Sequence, residues 1–356
     1  MGQQKGSGSL CFAEAPFIMQ SASIVGTKEG EGPLKDQFDV VAKDDKFGEN
    51  TWELAESTLQ RKTLLLALSK ANIEKGQLRY IFAGDLLGQT MATSFGVKDF
   101  NVPLWGLYGA CSTCGESLGL AAAMVEAGNA DCVAAVTSSH FGSAEKQFRF
   151  PLEYANQRPL SATWTVTGSG AFIVASRQYI FNHKKLIENP LNVAITGITT
   201  GKIVDYGVKD AQNMGAVMAP AAADLIYQNM MDFNRKPKDY DRIVTGDLGT
   251  VGREILIKLL KEKGMDISKN HEDCGIKIYS LEEQNVGAGG SGCGCSASVL
   301  SSYYLPMISR GELKRVLFVP TGALLSPVSF NEGQPVPGIA HGVVLEHKSW
   351  MEEKED

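Results

Sequence analysis

From Gly109 to Gly128 the chain reads Gly-Ala-Cys-Ser-Thr-Cys-Gly-Glu-Ser-Leu-Gly-Leu-Ala-Ala-Ala-Met-Val-Glu-Ala-Gly, with Glu116 and Glu126 as its only charges. A helix that is small and apolar on every face must be buried on every face, so this pattern predicts a helix lying between layers. Asp131 to His140 is an apolar run that turns polar at Thr137-Ser138-Ser139-His140. Such a strand belongs inside a sheet covered on both sides. Arg79 to Leu86 is a second strand, ending in a Gly84-Asp85 turn. Asn50-Thr51-Trp52-Glu53 has the form of a helix start, with Asn50 as N-cap and Glu53 three residues on, and the helix runs to about Ala71. Glu145 to Tyr154 is polar and contains a proline. Ser161 to Ser176 reads as strand, turn at Gly168-Ser169-Gly170, strand.

The same plan then recurs. Pro220 to Met230 is a helix with proline in its first turn. Asp241 to Leu248 is a strand ending in Gly-Asp-Leu, and Gly252 to Lys263 is a helix stopped by Gly264. Gly289 to Leu300 is a Gly/Cys turn entering another apolar helix. Lys314 to Ala323 and Pro337 to Glu346 are the closing strands. Gly84 thus matches Gly246, the turn at Cys111 matches that at Cys293, and the strands at Asp131 and near Gly168 match those at Lys314 and near Ala340. The offsets vary by about twenty residues, which loops absorb. The prediction is a duplicated α/β fold with similar halves at 11–180 and 190–346, mixed sheets, and buried helices at the shared centre. Ligands in such folds sit at the carboxyl ends of strands, so both Cys turns and both Gly-Asp-Leu turns face one crevice. Residues 1–10 are expected to form a mobile tail and 347–356 a charged one.

Composition narrows the function. The chain has 356 residues, 44% hydrophobic and 21% charged, with a net charge of -6. Sustained Lys/Arg clusters are absent, which argues against nucleic acid. No apolar run reaches the length of a membrane span. The start, Met1-Gly2-Gln3-Gln4-Lys5-Gly6, lacks the apolar region of a signal peptide, and Gly6 stands where a myristoylation motif wants Ser or Thr. Seven cysteines without a secretion signal read as reduced thiols.

Several groups carry candidate chemistry. Cys111 at a helix entrance would feel the helix's partial positive charge, a setting for a nucleophile or for a thiol lining a crevice. Cys111, Cys114, Cys293 and Cys295 have the composition of a tetrahedral metal site. Helical geometry turns Cys114 and Cys295 away from their partners, so buried thiols are the preferred reading and no metal or other cofactor is expected. Ser138, Ser139 and His140 end a buried strand, where they either face a ligand or cap the next element. Arg149 has the planar fork that matches a carboxylate, with a loop salt bridge as the alternative, and Arg158 has the same status. Asp85 and Asp247 follow glycine at strand ends, where aspartate commonly caps a turn, and Asp247 could instead serve as a Ca2+ ligand through its oxygens. The run Gly287 to Gly292 lacks the Lys-Ser/Thr of a phosphate-binding loop.

Duplicated halves, a Gly-Ala-Cys-Ser turn before a buried helix and a Gly-rich counterpart resemble the thiolase and ketoacyl-synthase III superfamily. Within it the chain resembles most the stage V sporulation protein AD group. The carrying strings include Ala83-Gly-Asp-Leu-Leu87, Gly109-Ala-Cys-Ser-Thr113, Glu145-Lys-Gln-Phe-Arg149, Met218-Ala-Pro-Ala-Ala-Ala-Asp224, Thr321-Gly-Ala-Leu-Leu-Ser-Pro327 and Gly338-Ile-Ala-His-Gly-Val-Val344. By this resemblance Cys111 falls on the enzymes' nucleophile. The enzymes' His would fall near Gly246 and Asp247 and their Asn near Cys293, and neither residue type is there. Losing oxyanion donors of that kind costs roughly a hundred- to thousand-fold each. The resemblance therefore implies a non-catalytic protein that binds dipicolinic acid, free or with Ca2+, during its uptake into the developing spore. Cys111, Ser138, Ser139, His140, Arg149, Asp247 and Cys293 are its candidate ligand residues, and His341 is a structural one. Two rivals stand beside it: an acyl-transfer enzyme in which Asp247 or His140 replaces the missing base, and a scaffold subunit of a membrane transport assembly. The resemblance also implies a homodimer, partner proteins of the same transport system, and a place on the cytoplasmic side of, or peripheral to, the forespore or spore inner membrane.

Overall fold

The computed structural model describes residues 3–155, 157–187 and 189–351. Ten strands form its spine. In the first half these are β1 (Phe17–Val25), β2 (Ile81–Gly84), β3 (Leu104–Gly106), β4 (Cys132–Ser139) and β5 (Gly168–Ala175). In the second they are β6 (Val193–Thr200), β7 (Arg242–Thr245), β8 (His271–Asp273), β9 (Arg315–Val319) and β10 (Gly338–His347). They run as one sheet in the order β8-β7-β9-β10-β6-β1-β5-β4-β2-β3. Each half is β3-β2-β4-β5-β1 or its match β8-β7-β9-β10-β6, with the first three strands parallel and the last two antiparallel. The halves join where Ala194 of β6 pairs with Phe17 of β1. The repeat of landmarks in the sequence is thus a repeat of topology.

Helices cover the sheet and fill its centre. α1 (Trp52–Ala71) and α4 (Met214–Asp232) are matching outer helices; α2 (Thr113–Glu126) and α6 (Cys293–Val299) are the matching central ones. α3 (Phe141–Phe148) follows β4 and α5 (Gly249–Glu262) follows β7. Every residue of α6 is buried, as its composition demands. α2 departs from that expectation: Leu120 is 40% exposed, and Glu116, Ala123 and Met124 beside it are only half-buried, so one stripe reaches the surface.

Three local readings change, and one segment left open gains a structure. The N-cap of α1 is Thr51 rather than Asn50, with its side chain accepting from Leu54 N. Gly168-Ser169-Gly170 lies within β5, not at a turn. These glycines let α6 lie flat on the strand: a Cβ on Gly170 would meet the Ala297 backbone at 2.6 Å. Pro220 sits well inside α4, because Asn213 caps the helix at its true start by accepting from Ala216 N. Most of the segment Glu145 to Tyr154 is helical or a tight turn, since α3 starts at a cap provided by His140.

The N-terminal segment is not a free tail in this structure. Gln3–Lys5 and Ser9–Cys11 form a hairpin, and Ser9–Cys11 pairs with Gly197–Thr199 of β6. Asp232 at the end of α4 holds it through Ser7 N, Gly8 N and Ser9 Oγ. At the other end Trp350 packs into the core, while the charged residues 352–356 lie outside the described residues. Among the described residues no helix is long and apolar enough to cross a membrane.

Candidate ligand-binding site

The Cys111 turn is held by its own side chains. Ser112 Oγ donates to Gly109 O at 2.6 Å, and Thr113 Oγ1 donates to Ala110 O at 2.7 Å while accepting from Gly109 N. Ala110 adopts a left-handed φ of 50°, a strained setting for a residue with a Cβ. The second half closes over the turn. A Cβ on Gly322 would lie 2.3 Å from Gly109 O and 3.3 Å from Cys111 N, so only glycine fits there.

Asp247 faces this turn, and the way it is freed to do so breaks the internal symmetry. In the first half Asp85 caps its own turn, accepting from Leu87 N, Thr93 N and Thr93 Oγ1 at 2.6 to 2.8 Å. In the second half Asp273 does that work, accepting from Leu248 N at 2.9 Å and Gly249 N at 3.1 Å. Asp247 turns inward, with Oδ2 accepting from Gly292 N at 2.9 Å and Oδ1 from Thr321 Oγ1 at 2.8 Å. The Cys111 thiol lies beside the same carboxyl group and interacts with it. A capping role for Asp247 is therefore not what the structure shows.

Electrostatics follow from this packing. Burial pushes the Cys111 thiol well above its ordinary range, and the neighbouring Asp247 and Cys293 push it further. Burial pushes Asp247 up to about 7, against the bonds from Gly292, Cys111 and Thr321, and Asp273 behind it adds to the rise. A thiol whose neighbour is a carboxyl lacks the cationic partner that makes a reactive thiolate. Gly246 is closely packed: a Cβ there would lie 3.1 Å from Pro320 Cα, so a larger side chain would need that backbone to give way.

Cys111 and Asp247 close the floor of a crevice of about 730 Å³. Arg149 also lines it, with Nη1 bound to Glu145 Oε2 at 3.2 Å. The salt bridge expected of Arg149 is therefore present, on a residue that also lines the crevice. Arg158 pairs with the same Glu145 at 3.0 Å and stacks on Trp164 and Phe141, which makes it a brace.

The strand-end cluster does not reach the crevice. Ser138 Oγ donates to Glu56 Oε1 and accepts from Gln60 Nε2, deep under the floor. Ser139 Oγ donates to Val166 O and accepts from Gly294 N, tying the halves together. His140 Nδ1 accepts from Gly142 N, so its Nε2 donates to Asp45 O at 2.6 Å. It lines a separate hollow of about 230 Å³ with Trp52 and Trp164. Burial lowers its pKa, and it serves as a helix cap rather than as a base for Cys111. Cys293 is wholly buried and donates to Ser138 O, though it packs beside Cys111 just below the floor. Cys295 donates instead to Gly246 O, and Cys114 is buried in the core. These thiols serve separate partners. His341 is held near pKa 4 by burial, between backbone contacts with Pro320 and Thr200. Gly290-Ser291 forms a short parallel pair with Trp164-Thr165, so that glycine run serves strand contact.

Sequence reasoning missed much of the wall. Tyr108, Phe148, Phe150, Tyr154 and Phe330 supply aromatic surface, and Lys209 and Gln212 come from the loop before α4. Lys209 makes no ion pair among the described residues. The signal available was the aromatic spacing around Arg149; nothing local marks Lys209.

The carboxyl beside the thiol generates a prediction. Iodoacetamide should label Cys111 slowly near neutral pH. Asp247→Asn removes the negative neighbour, lowers the thiol pKa and should speed labelling by about tenfold. Peptide mass spectrometry at Cys111 reads the rate; equal rates in the two proteins would contradict the coupling.

Comparison with known proteins agrees with this geometry. The profile of the family "Stage V sporulation protein AD (SpoVAD)" matches residues 6–346. The stage V sporulation protein AD of Bacillus subtilis (strain 168) is 41% identical over 341 residues, covering 96% of this chain and 97% of that one. In fold alone the chain is similar to human mitochondrial 3-ketoacyl-CoA thiolase, with a TM-score of 0.59 at 12% identity over 94% of this chain and 99% of that one. It is likewise similar to 3-oxoacyl-[acyl-carrier-protein] synthase III from Aquifex aeolicus VF5, with a TM-score of 0.52 at 12% identity over 93% and 99%. Topology and sequence together make the conclusion plain: the chain belongs to the stage V sporulation protein AD family, built on a thiolase-like fold.

Proposed function

We propose that the crevice binds dipicolinic acid, a flat aromatic dicarboxylate, without chemical turnover, in support of its uptake into the developing spore. One observation carries the reading: two cations, Arg149 and Lys209, line the same crevice as a set of aromatic walls. A planar ring suits the walls, and a carboxylate suits a guanidinium fork. Arg149 uses Nη1 on Glu145, which leaves the rest of its fork for a ligand. Gln212 and Met214 bring the N-terminal end of α4 to the crevice, and that end of a helix favours negative charge. The volume falls in the range of roughly 300 to 1,000 Å³ usual for small-molecule sites. Among the described residues no three His, Cys, Asp or Glu side chains converge as a metal-holding group. A Ca2+ arriving with the ligand would then be held mainly by the ligand's own oxygens and water.

The acyl-transfer rival has the thiol but not its activation. Asp247 raises the Cys111 pKa where a base such as histidine would assist it, and His140 is committed to Gly142 and Asp45. Function within a membrane transport assembly with other sporulation proteins is part of the proposal. So is a homodimer. Its support is the outer edge of β3, where Leu104 is 42% and Trp105 51% exposed on a strand that pairs on one side only among the described residues. Exposed apolar edge strands invite pairing with another chain. Trp105→Arg should shift the protein from dimer to monomer in light scattering; a wild-type monomer at micromolar concentration would remove the idea.

Calorimetric titration of dipicolinate, with and without Ca2+, tests the main reading. Saturable binding is expected in wild type. Arg149→Ala should weaken it by roughly tenfold or more, and Arg149→Lys should restore little, because an ammonium cannot replace the fork. No saturable heat in wild type would overturn the reading.

A further inference from the structure

A dicarboxylate site has an unexpected group at its base. Asp247 is wholly buried, closes the crevice floor beside Cys111, and forms no ion pair among the described residues. Its hydrogen bonds come from neutral donors, Gly292 N and Thr321 Oγ1, and the neutral Cys111 thiol lies beside it. An ionised carboxylate there would repel a dianion through a medium that screens poorly.

We propose that Asp247 takes up a proton when the dicarboxylate binds, so that ligand and proton occupy the crevice together. This rests on the dicarboxylate reading above and adds to it the ionic form in which the ligand is held. The proton comes from water or buffer, forms an O–H bond on the Asp247 carboxylate, and returns to solvent when the ligand leaves. No other bond forms or breaks.

The surroundings of Asp247 single it out. Behind it, Asp273 on β8 is another buried carboxyl, engaged by Leu248 N, Gly249 N and Ile276 N. From the α6 turn come Cys293 and Cys295, thiols kept protonated by burial. From the first half come Cys111 and, further off, Asp85 and Tyr108. Across the crevice stand Arg149 with its partner Glu145, and Lys209 with Asp210. His341 lies outside the lining and is held neutral by burial. Asp247 is thus the carboxyl at the floor that is neither paired with a cation nor used as a turn cap. With its pKa already near 7, an added anion shifts it further upward.

The sign of the pH dependence follows. The complex holds more protons than the free protein, so affinity falls as pH rises through the free-state pKa, with the dissociation constant growing by up to about tenfold per pH unit above about pH 7. The test is dipicolinate calorimetry from about pH 6 to about pH 8, in two buffers of different ionisation enthalpy. Uptake should approach about one proton per ligand at the alkaline end and fade at the acid end. Asp247→Asn mimics the neutral carboxyl. It should bind about tenfold more tightly than wild type near pH 8, with no uptake and a flat pH profile. Infrared difference spectra of wild type should gain a protonated-carboxyl band on binding, a readout that needs no variant to fold. Saturable binding without proton uptake, or uptake that persists in Asp247→Asn, would overturn the proposal while leaving the dicarboxylate reading intact. No saturable binding in wild type would overturn both.

Discussion

A thiol lying beside a buried carboxyl group forms the floor around which this crevice is built. Cys111 stands at the entrance of a central helix, and its neighbour is Asp247. Burial raises both groups; the carboxyl further disfavours ionisation of the thiol, while the thiol favours the carboxylate and only partly offsets its burial. A histidine in that place would make the opposite pair, since an imidazolium stabilises a thiolate.

That pair exists because the halves touch there at backbone distance. Gly322 lies against the Cys111 turn, Gly292 donates to Asp247, and Gly294 sits against Gly168. Each contact is possible only without a side chain, so glycines at these places set the spacing of the floor. Asp273 completes the arrangement by capping the turn that Asp247 would otherwise cap, a division of work that the first half does not need. The two halves place aspartates at matching turns, and Asp273 on β8 takes the capping bonds that leave Asp247 facing the crevice.

The fold was legible in the sequence to a considerable depth. Continuous apolar strands, the apolar helices and the Gly-Asp-Leu repeats are local patterns, and local patterns survive reading one residue at a time. What failed was what depends on three dimensions. Gly168 to Gly170 looked like a turn, because a close helix–strand approach leaves the same signature as a tight bend. His140 and Ser139 looked ligand-facing, because the end of a buried strand is where such groups belong; their hydrogen bonds to Asp45 and Val166 turn them elsewhere. Arg149 and Asp247 do line the crevice, while Lys209 arrives from a loop far along the chain with no motif to announce it.

Burial and the neighbouring Asp247 hold the Cys111 pKa well above its ordinary range, and the function proposed above has the crevice hold a ligand without acyl transfer. Intact-protein mass spectrometry after incubation with acyl-CoA donors of short and long chain puts this to the sharpest test. An unchanged mass at near-neutral pH is the expected result. A stable acyl adduct that maps to Cys111 and disappears in Cys111→Ala would refute it.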